Sequence, residues 1–139
     1  MAVEFQGLEN LIDRLDNIAD MDKINAALGT ACALVEREAK IKAPKVNGEL
    51  RRSISSKVEN GVGVVFTPLF YAPYVEYGTG IFAEGGNGRQ DVPWTYKDEV
   101  TGEWVVTSGM KPQPYLRPAL DENRQEILRI IREGITSND

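Results

Sequence analysis

Leu50-Arg51-Arg52-Ser53-Ile54-Ser55-Ser56-Lys57-Val58-Glu59-Asn60-Gly61-Val62-Gly63-Val64-Val65-Phe66 is where the hydrophobic pattern of this chain changes period. Leu50, Arg52, Ile54, Ser56 and Val58 alternate imperfectly with Arg51, Ser53, Ser55 and Lys57, which predicts a half-exposed strand over Leu50–Lys57. Asn60-Gly61 is the dipeptide that best tolerates the positive φ angles of a two-residue hairpin turn. Val62, Val64, Val65 and Phe66 then read as the returning strand, ended by Pro68. An antiparallel hairpin is thus expected in the middle of the chain.

Upstream, the pattern is helical. Leu8, Leu11, Ile12, Leu15 and Ile18 predict a short amphipathic helix over residues 8–19. Ile24, Ala27, Leu28, Ala31, Leu34, Val35 and Ala39 predict a second over about 22–43, with Asp22 as its N-cap and Pro44 as its stop. Val46-Asn47-Gly48 is turn chemistry between helix and hairpin.

Downstream, Tyr71, Tyr74 and Tyr77 sit three apart and fit one face of a helical turn, with Pro73 at its start. Residues 83–92 are glycine-rich and polar and predict a mobile loop over 81–92. Trp94 and Tyr96, then Trp104 and Val106, flank Thr101-Gly102 and predict a second hairpin. Leu116, Leu120, Ile127, Ile130, Ile131 and Ile135 predict a C-terminal helix over about 115–134. Helices and strands fall in separate blocks, so the expected class is α+β: one domain, with a small antiparallel sheet packed against two N-terminal helices and one C-terminal helix.

Composition narrows the chemistry. The 139 residues carry a net charge of -5, with 42% hydrophobic and 27% charged residues. A protein that grips nucleic acid through phosphates needs a basic excess, which this chain lacks. There is no histidine, so the usual general base and the commonest metal ligand are missing. Cys32 is the single cysteine; an intramolecular disulfide is excluded, and its apolar neighbours predict a buried small hydrophobe. No apolar run reaches the length of a membrane span, and the N-terminus lacks the pattern of a signal peptide, so a cytoplasmic site of synthesis is expected.

No constellation spells out an active site. Gly78-Thr79-Gly80 is glycine-rich but lacks the lysine and hydroxyl ending of a phosphate loop. Asp91, Asp98, Glu99 and Glu103 do not have the spacing of a calcium loop. Two readings of the residues compete with a purely structural one. Glu76 with Tyr74 or Tyr77 could form an acid–base pair in a metal-independent enzyme. Arg51, Arg52 and Lys57 with the aromatic side chains could form a nucleic-acid-binding track. Arg117 could pair with Glu76 or with an acidic residue of the N-terminal helices.

Three phrases in fixed order carry a resemblance: Asn47-Gly48-Glu49-Leu50-Arg51-Arg52-Ser53-Ile54, Tyr71-Ala72-Pro73-Tyr74-Val75-Glu76-Tyr77-Gly78-Thr79-Gly80, and Pro112-Gln113-Pro114-Tyr115-Leu116-Arg117-Pro118-Ala119-Leu120. Together they resemble the head–tail joining and tail-completion proteins of long-tailed bacteriophages. The Phe5-Gln6-Gly7-Leu8 opening and Ala39-Lys40…Ala43-Pro44 fit the same pattern, while residues 81–109 match none. The resemblance implies a structural virion protein rather than an enzyme. It implies an α+β subunit of a ring at the neck or upper tail, assembled in the host cytoplasm. Its partners would be further copies of itself and other neck and tail proteins, with genomic DNA passing through the lumen without specific binding. Neither cofactor, membrane nor small-molecule substrate is expected. The candidate subunit-interface residues are Arg51, Arg52, Tyr74, Glu76, Tyr77, Trp94, Trp104 and Arg117, and loop 81–92 is expected to order on docking.

Overall fold

The structure is a computed structural model that describes residues 1–4, 21–45, 48–98 and 101–136. The helix expected over residues 8–19, the Asn47 turn position and the C-terminal Asn138-Asp139 lie outside the described residues. The fold is α+β, and the chain divides into two compact units: Met1–Leu69 with Tyr115–Asp139, and Phe70–Pro114.

The first unit holds a three-stranded antiparallel sheet, β1 (Ala2–Glu4), β2 (Ser55–Glu59) and β3 (Val62–Phe66), in the order β1-β3-β2. Glu59 pairs with Val62 across Asn60-Gly61, whose φ angles are 50° and 79°, so the two-residue turn takes the form that matches strand twist. The Gly61 N–H donates to Asn25 Oδ1 at 3.0 Å and fastens that turn to the helix below. Opposed residues share a face, so Val3, Ser56, Val58, Gly63 and Val65 point one way, and Ala2, Ser55, Lys57, Val62, Val64 and Phe66 the other. Val65 is fully buried, whereas Lys57 is exposed with its ammonium 5.8 Å from the Phe66 ring.

The helix α1 (Met21–Lys42) is the hub of this unit, packing against β2 and β3 and against the C-terminal helices. Ile24, Ala27, Leu28, Ala31, Cys32, Val35 and Ala39 are its buried stripe, as the spacing predicts, with Leu34 at the half-buried margin. Asp22 lies inside the first turn, where its carboxylate complements the helix dipole. Close packing on the far side depends on Gly134: a Cβ there would lie 2.8 Å from that of Ala27.

Two sequence expectations are corrected in this unit. The strand over Leu50–Lys57 begins only at Ser55, because Glu49–Ser53 form a helical turn, α2. Gly48, at φ 77°, starts the turn, the Arg52 N–H donates to the Gly48 carbonyl, and the Ser53 hydroxyl donates back to the Leu50 carbonyl at 2.6 Å. Leu50 and Ile54 are both buried; four residues apart, they satisfy a helical turn as well as a strand. The C-terminal helix is likewise two helices, α4 (Leu116–Asp121) and α5 (Arg124–Thr136). The Asn123 side-chain amide donates to the Ala119 carbonyl at 2.8 Å while its backbone N–H donates to that of Leu120, and this local competition breaks the continuous ladder. The short strand β1 has no counterpart in the sequence reading, since three residues show no period.

Cys32 is buried on the sheet side of α1. Burial, and then the Glu36 carboxylate one turn along, push its thiol up to about 11, against the lowering effect of a hydrogen bond with the Val64 backbone. The folded chain therefore keeps a proton that the unfolded chain releases above its ordinary value of 9.0. With fewer protons bound in the unfolded state, stability falls as pH rises from about 9 toward 11. Cys32→Ala is expected to remove that part of the alkaline loss. Chemical denaturation at pH 7 and pH 10 checks this, and an unchanged difference between the two pH values would contradict it.

The second unit contains the helix α3 (Ala72–Tyr77), with Pro73 in its first turn, and the hairpin β4 (Trp94–Lys97) and β5 (Trp104–Thr107). Both match the expected positions. Between them, residues 80–82 and 84–86 form short 3-10 turns. Gly88 lies so close to the Gly80 carbonyl that a Cβ on it would sit 2.2 Å away, and the Arg89 guanidinium stacks 5.0 Å over Trp94. The glycine-rich stretch thus touches the rest of its unit at two points.

Candidate functional site

The Tyr74–Gly80 phrase is built around a backbone crossing. The Thr79 N–H donates to the Met110 carbonyl at 2.9 Å, the Met110 N–H to Thr79 Oγ1 at 2.8 Å, and the Ile81 N–H to the Ser108 carbonyl at 3.2 Å. Two chain segments run this close only because neither carries a side chain at the crossing. A Cβ on Gly80 would lie 2.1 Å from the Ser108 carbonyl oxygen, and one on Gly109 would lie 2.2 Å from that of Thr79. Gly78 ends α3 at φ 81°, packed against Met110 and Pro112. Gly-Thr-Gly is therefore a clasp between residues 78–81 and 108–110. The N–H groups of Thr79 and Ile81 that a phosphate would need are already donated to carbonyls.

On α3 the side chains divide sharply. Glu76 has no exposed surface, whereas Tyr74 is 54% and Tyr77 40% exposed. The carboxylate is thus enclosed while both phenol rings keep open surface. Among the described residues no three His, Cys, Asp or Glu side chains converge on a common point.

One face of the hairpin carries two open apolar side chains. Trp104 is 70% and Val106 66% exposed, and with Lys97 and Thr95 opposite them they form one face of β4–β5. Trp94 belongs to the other face and is half-buried under Arg89. Phe70, at 79% exposure, and Ile81 and Phe82 add further apolar surface to the same unit. A two-stranded sheet alone is marginally stable in water, and large exposed apolar patches mark interaction sites.

The basic residues do not form the single strip read from sequence. Arg51 and Arg52 lie on α2 and Lys57 on β2. The Arg51 Nε–H donates to the Lys40 carbonyl at 2.9 Å, which satisfies a carbonyl in the last turn of α1. Arg52 is exposed and folds its guanidinium over Gly48. Arg117 is half-buried in the first turn of α4. Of the eight candidate interface residues, Arg52, Tyr74, Tyr77 and Trp104 thus carry open surface, Arg51, Trp94 and Arg117 are partly covered, and Glu76 is enclosed. Sequence reasoning missed Ile41, Val106 and the cations that end α1. An isoleucine on the polar side of an amphipathic helix was the available signal for the first.

Residues 9–78, just over half of the chain, match the family described as "Bacteriophage HK97-gp10, putative tail-component". The chain belongs to this phage tail-component family. The match covers α1, α2, the β2–β3 hairpin and α3, and so includes the first phrase that carried the resemblance and the second as far as Gly78; Thr79-Gly80 and Pro112–Leu120 lie beyond it. No curated protein and no solved structure matches the chain. Family membership makes this a structural component of a phage tail.

Proposed function

We propose that this tail component is a ring subunit that joins head and tail at the neck or the head-proximal end of the tail. The observation that carries the reading is the exposed apolar surface of the second unit, where Phe70, Tyr74, Tyr77, Trp104 and Val106 are open to solvent in a chain that belongs to a phage tail-component family. Aromatic side chains held this way are the anchors of protein interfaces. In the reading proposed, a neighbouring copy and other neck or tail proteins cover them, and residues 81–92 complete their ordering when they do.

An acidic subunit suits a lumen through which DNA slides, because like charge prevents adhesion. Labelling assembled virions with an antibody against the chain tests the location. Label confined to the head–tail junction supports the proposal, and label along the whole tail tube or on free host material contradicts it.

A further inference from the structure

We propose that the β4–β5 hairpin of one copy docks into a basic cleft at the C-terminal end of α1 in a second copy. The proposal rests on the ring reading and supplies its interface. The cleft is an open hollow of about 430 Å³ lined by Glu36, Arg37, Lys40, Ile41, Lys45 and Arg51. Four cations face one carboxylate in a chain whose net charge is -5. Their internal ion pairs are loose: Arg37 lies 3.7 Å from Glu38 and Lys40 lies 3.6 Å from Glu36, at partly exposed positions where such pairs contribute little. Arg37 and Lys40 can therefore turn to another partner, while Arg51 keeps its Nε–H on the Lys40 carbonyl. Among them Ile41 is 62% exposed, an apolar floor on what would otherwise be a solvated helix face.

Cations around an apolar floor fit an aromatic ring flanked by carboxylates. The ring contacts Ile41 and lies under the guanidinium and ammonium groups, and the carboxylates pair with the remaining charge. A phosphate backbone would use the cations and leave Ile41 wet. The hairpin offers the matching chemistry: Trp104 and Val106 project from one face, and residues 97–103 carry Asp98, Glu99 and Glu103 against a single Lys97. Over residues 70–114 six acidic side chains stand against three basic ones. Hairpin and cleft are different surfaces, so the contact is heterologous and repeats head to tail, as a closed ring requires.

The test uses the full chain in sedimentation equilibrium across a concentration series. Trp104→Ala and the cleft variant Lys40→Glu/Lys45→Glu both change exposed or half-exposed side chains, and unchanged circular dichroism verifies their folding. Each is expected to weaken self-association about tenfold or more, the loss typical of an interface anchor. Mixing the two variants leaves one intact hairpin and one intact cleft, so the mixture is expected to form dimers and nothing larger. Oligomers of Trp104→Ala as tight as those of the wild type would overturn the docking while leaving the ring reading in place. A wild-type chain that stays monomeric at every concentration would overturn both. Loss of binding to short duplex DNA in the cleft variant, with self-association unchanged, would make the cleft a phosphate site and overturn the proposal.

Discussion

Gly80→Ala is expected to collapse the second unit, lowering stability by about 3–5 kcal/mol. The new Cβ would sit 2.1 Å from the Ser108 carbonyl oxygen, a backbone atom that cannot rotate away. The φ of 61° adds a cost of about 1–2 kcal/mol that glycine avoids. Moving the two segments apart breaks the Thr79–Met110 and Ile81–Ser108 hydrogen bonds, each contributing about 1 kcal/mol. Gly109→Ala attacks the same crossing from the other side and is expected to cost as much. Gly102→Ala is the control: its φ is 74° but nothing lies within 4 Å, so only the backbone cost applies. Both tryptophans belong to this unit, so urea unfolding followed by tryptophan fluorescence reads it directly. A Gly80→Ala midpoint equal to that of Gly102→Ala would show that the crossing is not the clasp described.

Leu28→Ala is expected to destabilise the first unit by about 2–5 kcal/mol, while Gly29→Ala beside it stabilises by about 0.5–1 kcal/mol. Leu28 is fully buried on α1, the helix that packs both on the sheet and on the C-terminal helices, so a cavity there loosens two layers at once. Gly29 is the next residue, a quarter-turn away, and a methyl group at that position meets nothing within 4 Å. It gains helix propensity without a steric cost. Far-UV circular dichroism during urea unfolding follows α1, α4 and α5 and therefore this unit. Equal shifts of the two variants, in either direction, would contradict the placement of the core stripe.

The fold was legible where one period dominated. The α1 stripe from Ile24 to Ala39 and the Asn60-Gly61 turn appear in the structure as their patterns require, because each has a single physical solution. The pattern failed where two solutions competed. Leu50 and Ile54 satisfy a helical turn and a strand equally, and a left-handed Gly48 with the Ser53 back-bond decided for the turn. Asn123 broke the last helix through a side-chain bond to Ala119 that no apolar period records. The interface was legible as residue types more than as surfaces. Tyr74 and Tyr77 are exposed, yet Glu76 between them is enclosed, a difference set by which face of α3 is covered. The clasp is the clearest case. Gly78-Thr79-Gly80 stood out in the sequence, but its partner Ser108-Gly109-Met110 is 31 residues from Thr79 at the Met110 bond, and only the folded chain brings them together.

In the role proposed above, this phage tail component joins heads to tails. Disrupting its gene in the phage that encodes it, and imaging the lysate by electron microscopy, tests the claim. DNA-filled heads beside separate tails, with infectivity restored by the wild-type gene, are the expected result; uniform tails would place the subunit at the connector, overlong tails at the terminator. Intact, infectious particles in the absence of the protein would contradict the claim.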